Sequence, residues 1–371
     1  MMKKTVPLLL VLILMLFLAG CGPGNSSENN NNNGNNNTAG NNGGKNTDEN
    51  GDSNEPDLLS IEDYYPIKEN THYVYEGSGN EYASYDTFID YTSEGKFQQR
   101  VDNGGTVMAN VFEIKDGKLT RKYSRGEAYY RENLLNKTGE NEEVILQEPL
   151  EKGKTWTLDD SRTRTITNID VEISTPSGDY QAIAVTTEGE DGQTVDYYAK
   201  NIGLVKSVFV YEDMEVTSTL SKIEENVPFM QNISFYYPNI DDGKYYFKNK
   251  EIQFRTNDIT KQVLEKAYKE AVPEGYNVGK VLSEQAKINS LYLNQDTNVY
   301  LDLNSDFVTK MNAGAGYEQM ILQSIANTFG QYYNAEKVYL TIDNDLYQSG
   351  HIELRKGEFL KVDLKNAVEI K

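Results

Sequence analysis

The sequence predicts an α+β protein, an N-terminal all-β antiparallel domain followed by a small domain of α-β-β-α-β order. Three observations predict it. From Tyr64 to about Ile223, apolar and polar residues alternate with period two, which places every second side chain on one face of a sheet. Turn dipeptides punctuate those runs. From about Asn232 onward the apolar spacing changes to the three-and-four rhythm of amphipathic helices.

Each element follows from its own residues. Alternation is carried by "THYVYEG", "YDTFIDY", "KTWTL", "VEIST", "YQAIAVTT" and "LVKSVFVY". Between such runs stand Glu94-Gly95, Asn103-Gly104, Asp116-Gly117, Ser177-Gly178 and Asp191-Gly192. Asn-Gly and Asp-Gly signal hairpins because both central residues of a type I′ turn need positive φ. No amphipathic helix interrupts the region, so residues 58–228 read as a curved antiparallel sheet of roughly ten strands, with Trp156 as a core anchor. Residues 229–371 form the second domain. Thr256 to Asp258 offer caps for a helix burying Ile259, Val263, Leu264, Ala267 and Ala271 and stopped by Pro273. A hairpin of 288–294 with 299–303 comes next, turning at Gln295 to Asn298. "AGYEQMILQSIANTFGQYY" is a second helix with Met320, Ile321, Ile325 and Phe329 inward, and "KVYLTID" and "GHIEL" are further strands.

The N-terminus carries a different pattern. Lys3 and Lys4 precede an apolar stretch from Val6 to Leu18, 13 residues long. A spanning helix needs about 20 apolar residues, so residues 1–20 read as a secretory signal. The stretch ends in Leu18-Ala19-Gly20-Cys21, and Cys21 is the only cysteine. Small residues directly before a thiol resemble the lipobox of bacterial lipoproteins. That resemblance implies cleavage after Gly20, a diacylglyceryl group on the Cys21 sulfur, and a location on the extracytoplasmic face of the cell membrane. Two acyl chains hold a protein on a bilayer, whereas one binds only marginally. Residues 21–57 are mostly Asn, Gly, Ser, Asp and Glu, a composition that cannot bury a core and is expected to be a disordered tether. Formal net charge is −21, and without the two leader lysines 34 basic residues face 57 acidic ones. Such a surface repels anionic polymers and excludes nucleic acid as a partner.

The C-terminal third resembles the GerMN domain, a sporulation and spore-germination module. "KINSLYLNQDTNVYLDLNSDF" is similar to that family's central hairpin, "AGYEQMILQSIANTFGQ" to its second helix, and "KVYLTIDNDLYQSGHIEL" to its last strands, with Ser349-Gly350-His351 in the tail. The likeness spans roughly residues 240 to 370. It departs from the pattern at Asn344, where the family often has glycine after "ID"; asparagine also tolerates positive φ. The resemblance implies a small sheet with two helices on one face and an envelope scaffold that is not an enzyme. More loosely, Pro149 to Trp156 and Tyr197 to Lys206 look like segments of bacterial lipoprotein domains, with no activity attached.

Chemistry-bearing constellations are sparse. His72 and His351 lie in different domains, and no H-E-x-x-H, C-x-x-C or G-x-S-x-G pattern occurs. The expectation is therefore no catalytic residue, no metal and no cofactor. "DLNSDF" (Asp302, Asn304, Asp306) imitates half a calcium loop, but Phe307 and Ala313 stand where glycine and glutamate are required, so the acids read as strand-end and turn residues. Gly314-Ala315-Gly316 serves helix entry. Asp159-Asp160 and Asp241-Asp242 read as solvated turns. The 27 tyrosines, often paired, suit half-buried sheets better than a ligand platform. The function expected is a non-enzymatic scaffold, lipid-anchored, with protein partners or self-assembly through the second domain. Cell-wall glycan binding is the alternative, and solute binding a weaker one, because two-lobed solute receptors alternate strand and helix throughout.

Overall fold

The computed structural model describes residues 59–140 and 142–370. A single helical turn, α1 (Ile61–Tyr64), is capped by the Ser60 hydroxyl, which accepts the Asp63 N–H at 3.2 Å. It leads into β1 (Thr71–Ser78), β2 (Tyr85–Ser93), β3 (Lys96–Asp102), β4 (Val107–Lys115), β5 (Lys118–Arg125) and β6 (Glu143–Gln147). A second run comprises β7 (Thr155–Thr157), β8 (Thr163–Thr175), β9 (Gly178–Gly189), β10 (Gly192–Ala199), β11 (Gly203–Tyr211) and β12 (Met214–Glu225). All join one sheet of 12 strands, two more than the alternation suggested, in the order β6-β5-β4-β3-β2-β1-β12-β11-β10-β9-β8-β7. The shortfall has a physical reason. "KFQQRVD" and "KLTRKYSR" are polar on both faces, and β3 nevertheless buries Gln98 and Arg100. The Asp116-Gly117 hairpin has φ of 52° and 66°, the positive pair a type I′ turn requires.

The sheet is two meanders paired antiparallel through β1 and β12, from Thr71↔Glu225 to Ser78↔Thr217. Its edges β6 and β7 are neighbours in sequence, and side chains rather than a ladder join them. The Val144 carbonyl accepts from Trp156 Nε1 at 3.1 Å and from Arg164 Nη1 at 2.6 Å. The Glu143 carboxylate accepts from the Arg121 and Arg164 guanidinium groups. Edge polar groups are thus satisfied without closing a barrel. Inside, Phe97 and Phe112 stack at 5.0 Å beside the buried Trp156, Ile166 and Ile183.

The remaining chain begins with a hairpin absent from the sequence expectation, β13 (Phe229–Asn239) with β14 (Lys244–Phe254). Then come α2 (Thr260–Glu270), β15 (Ile288–Leu293), β16 (Val299–Leu303), α3 (Asp306–Thr309), α4 (Ala315–Tyr332), β17 (Lys337–Ile342), β18 (Asp345–Leu346), β19 (Leu360–Lys361) and β20 (Ala367–Glu369). β20 adds to β14 in parallel, and β15, β16, β17 and β18 form a second small sheet with β19 on β17. β16 and β17 are parallel, a pairing that needs a crossover, and α4 supplies it. α2, β15, β16, α4 and β17 occur in the expected sequence, but the short α3 intervenes between β16 and α4 and the β13–β14 hairpin precedes them; Met320, Ile321, Ile325 and Phe329 are buried.

Three local expectations need correction. The first residue of α2 is preceded by Ile259, which makes no side-chain cap and is 52% exposed rather than buried. The cap candidates are spent elsewhere: Asp258 accepts the Arg255 N–H, while Thr256 and Asn257 bond to the large sheet. "GHIEL" is not a strand. It contributes only an isolated bridge, Gln348↔Glu353, and His351 is exposed in a turn instead of starting a strand.

Buried charge joins the 12-stranded sheet to the segment that leads into α2. Asp90 on β2 is fully buried and accepts from Arg100 Nη2 at 2.8 Å and Arg131 Nε at 3.2 Å. Arg131, in the loop after β5, also reaches the carbonyls of Asp90, Arg255 and Asp258. Its guanidinium lies between the rings of Tyr91 and Phe254, 4.7 and 4.8 Å from their centroids. The Thr256 hydroxyl accepts from Asn70 N and donates to Ile89 O, and the Tyr332 hydroxyl accepts the Arg131 N–H.

His72 on β1 gives the sheet a pH dependence. Its Nε2 is 3.1 Å from Asp86 and its Nδ1 3.2 Å from Glu224, so one imidazole faces a carboxylate on each neighbouring strand. Hydrogen bonding to Asp86 raises its pKa above the ordinary 6.5, against partial desolvation, with Glu224 adding to the rise. A raised folded pKa stabilises fully below the unfolded value, and that contribution is lost as pH climbs through the folded value. Urea titrations across this window should show stability falling with pH in the wild type and a flatter profile in His72→Gln. Equal slopes for the two proteins would contradict this assignment.

Candidate functional site

The second small sheet has one face covered by helices and one that is not. Alternation along β16 and β17 turns Val299, Leu301, Leu303, Val338 and Leu340 inward, where they join α2 and α4 in one buried cluster. The opposite face carries aromatic rings in register. Tyr292 pairs with Tyr300 across β15 and β16, and Tyr300 with Tyr339 across β16 and β17. Ring centroids are 5.6 Å apart in the first pair, nearly parallel, and 5.1 Å in the second. Phe359, just before β19, continues the row 5.3 Å from Tyr339, with the Lys337 ammonium 6.0 Å from its centroid. Within the row Tyr300 donates to Asp296 of the hairpin turn at 3.1 Å; partial burial first and that carboxylate second raise the Tyr300 pKa. The result is a four-ring strip with an acid beside its second ring and a cation near its last.

Beside the strip the same face is polar and internally satisfied. Asp302 Oδ1 accepts the Thr341 hydroxyl at 2.6 Å and the Asn344 N–H at 2.7 Å, and Oδ2 takes Asn289 Nδ2 at 2.9 Å. Asn304 accepts the Lys287 N–H and donates to the Gln285 carbonyl. The residues that imitate a calcium loop therefore fasten a strand end. Among the described residues no group of three or more His, Cys, Asp or Glu is arranged to hold a metal ion. Asn344 has φ of 69°, so asparagine does serve where a glycine would.

Ser349-Gly350-His351 borders a groove closed on its other side by Val308 to Gly314. Its floor is Glu318, 2% exposed, which accepts the hydroxyls of Tyr347 at 2.7 Å and Ser349. Burial first, and then this carboxylate, push the Tyr347 pKa up. Ser349 also accepts the N–H groups of His351 and Ile352, so it shapes the turn from which the exposed His351 projects. Cys21 and the Leu18, Ala19 and Gly20 of the expected lipobox lie outside the described residues.

The strip was missed at the level of sequence although a signal existed. Leu291-Tyr292-Leu293, Val299-Tyr300-Leu301 and Val338-Tyr339-Leu340 are three aliphatic-Tyr-Leu triplets, one on each paired strand. Each reads alone as ordinary strand composition; only the register makes them a row.

Residues 234–348 match the family model Germane, described as sporulation and spore germination. The chain contains a GerMN domain. The matched span of this GerMN domain holds the hairpin, both long helices and the strip residues except Phe359. No curated protein matches the sequence. Among solved structures, the first GerMN domain of the sporulation protein GerM from Bacillus subtilis is similar at 21% identity, over 37% of this chain and 98% of that one, with a TM-score of 0.27. The tandem GerMN domains of the same protein match at 17% identity, over 37% of this chain and 47% of that one, also at 0.27.

Proposed function

We propose that the protein is a non-enzymatic scaffold on the outer face of the cell membrane, held there through Cys21, whose GerMN domain docks a protein partner during sporulation or germination. The observation that carries this reading is the uncovered four-ring strip. Aromatic side chains offer large contact area at low entropic cost, and a row of them rimmed by opposite charges has the composition of an interface centre. The family description supports the sporulation context, and the leader sequence supports the anchor.

The test uses the full chain in its native host with Tyr300→Ser and Tyr339→Ser combined. Half-exposed cross-strand pairs contribute roughly 0.2–1 kcal/mol each, so the variant should stay folded. Crosslinking in the membrane fraction should capture a partner with the wild type and lose it with the variant, and heat-resistant or germinating spores should fall in number. A Cys21→Ser chain should leave the membrane fraction. Unchanged crosslinks and spore counts would remove the docking reading, and strip-dependent retention on purified sacculi would replace the protein partner with cell-wall glycan.

A further inference from the structure

The groove between α3 and the turn at Ser349 shares no residue with the aromatic strip. It holds about 440 Å³, and its mouth is unobstructed, since a Cβ added at Gly314 or Gly350 would meet nothing within 4 Å. Val308 and Met311 line one side, Tyr347, Ser349 and His351 the other, and Glu318 of α4 lies at the floor.

Five carboxylates are buried among the described residues, and their surroundings differ. Asp90, Glu143 and Glu265 each meet Arg or Lys, and Asp302 accepts hydroxyl and amide donors. In all four, both oxygens are engaged. Glu318 is the exception. Its Oε1 accepts the Tyr347 and Ser349 hydroxyls, whereas Oε2 has no hydrogen-bond partner among the described residues. Oε2 is not a sealed atom either, so it opens onto the groove that its side chain lines. No Lys or Arg lines that groove, and the exposed His351 makes no ion pair with the carboxylate.

Glu318 stands in the first turn of α4, where the positive end of the helix dipole favours an anion. Two hydroxyls and a dipole still leave a buried carboxylate without a counter-charge, which is costly. An anionic guest would be repelled. A metal ion would find too few ligands, because no group of three or more His, Cys, Asp or Glu is gathered among the described residues. We infer that the groove is a binding site for a small primary amine, taken as its ammonium ion, with Glu318 Oε2 accepting one N–H. An ammonium brings a full positive charge and three donors, and the open groove leaves the other two to water.

The experiment follows the Met311 methyl of the purified full chain by NMR with labelled methionine, its signal assigned by its loss in Met311→Leu. The probes are butylamine, butyltrimethylammonium, N-butylacetamide and butyrate at neutral pH. A chain of net charge −21 attracts any cation weakly, and the quaternary ion measures that background because it has charge but no N–H. Butylamine should shift the Met311 methyl and bind about ten- to hundredfold tighter than the quaternary ion, the value of one charge-assisted hydrogen bond. The amide and the acid should leave the signal in place. Glu318→Gln keeps an oxygen for the two hydroxyls and removes the charge, so it should bind butylamine no better than the quaternary ion, with melting followed by circular dichroism. If that variant does not fold, the wild-type series decides alone. A Met311 methyl unmoved by butylamine, equal affinity for the two cations, or a folded Glu318→Gln chain with undiminished affinity would overturn the inference.

Discussion

Asp90→Ala is expected to cost about 3–5 kcal/mol, because it leaves two buried guanidinium groups without their shared anion. Arg100 and Arg131 are 3% and 1% exposed, so neither can turn to water when the carboxylate goes. Arg131 would keep its carbonyl partners, the residue 90 backbone among them, but these neutral acceptors do not compensate a full charge. The effect should spread beyond β2, since the same guanidinium holds Arg255 and Asp258 at the approach to α2. Equilibrium unfolding in urea measures the loss. Combining Asp90→Leu with Arg100→Met and Arg131→Met should recover part of it, because an apolar replacement removes the uncompensated charge while forgoing the carbonyl contacts. An Asp90→Ala protein within about 1 kcal/mol of the wild type would show that the junction is not held by this network.

Phe329→Ala is expected to cost a similar amount, about 3–5 kcal/mol, through a cavity at the centre of the GerMN domain. Phe329 is fully buried on α4 and meets Tyr268 of α2 edge to face at 5.9 Å. Tyr268 is anchored in turn, donating to the Tyr236 carbonyl at 2.7 Å and accepting from Thr328, so the site cannot collapse cheaply. The manner of unfolding matters as much as the size. With Asp90 and Arg131 tying the 12-stranded sheet to the residues before α2, Phe329→Ala should lower a single transition seen by both near-ultraviolet and far-ultraviolet circular dichroism. Two resolved transitions, only one of them shifted, would show that the GerMN domain unfolds on its own.

Much of the architecture was legible from short-range pattern. The hairpin of β15 and β16 and the helix α4 with its four inward residues stand as read, and each of the five glycine dipeptides sits at a hairpin of the large sheet, though only Asp116-Gly117 has positive φ at both residues. The β13–β14 hairpin was not legible. "KYYFKNKEIQF" has aromatics on both faces and all three lysines on the face that carries Ile252 and Phe254, whose burial makes sense only against α2 and α4. The helix caps failed for a related reason. Thr256 and Asn257 are good cap residues by type, yet the large sheet offers them partners on β2 and just before β1, and those bonds win. The strip was half legible, as three like triplets without the register that aligns them.

What the sequence by itself determined is local: where glycine dipeptides mark hairpins, where the apolar period is two or three-and-four, and which third of the chain is a GerMN domain. These depend on residues a few positions apart, so no knowledge of the rest is needed. Only the tertiary structure decided which polar groups go inside. Nothing in the local pattern of the chain marks Asp90, Arg100, Arg131 and Gln98 as interior. They are buried because their partners arrive from elsewhere, 41 positions away for Arg131 and Asp90, and a charge leaves water only where a counter-charge and carbonyls are already in place.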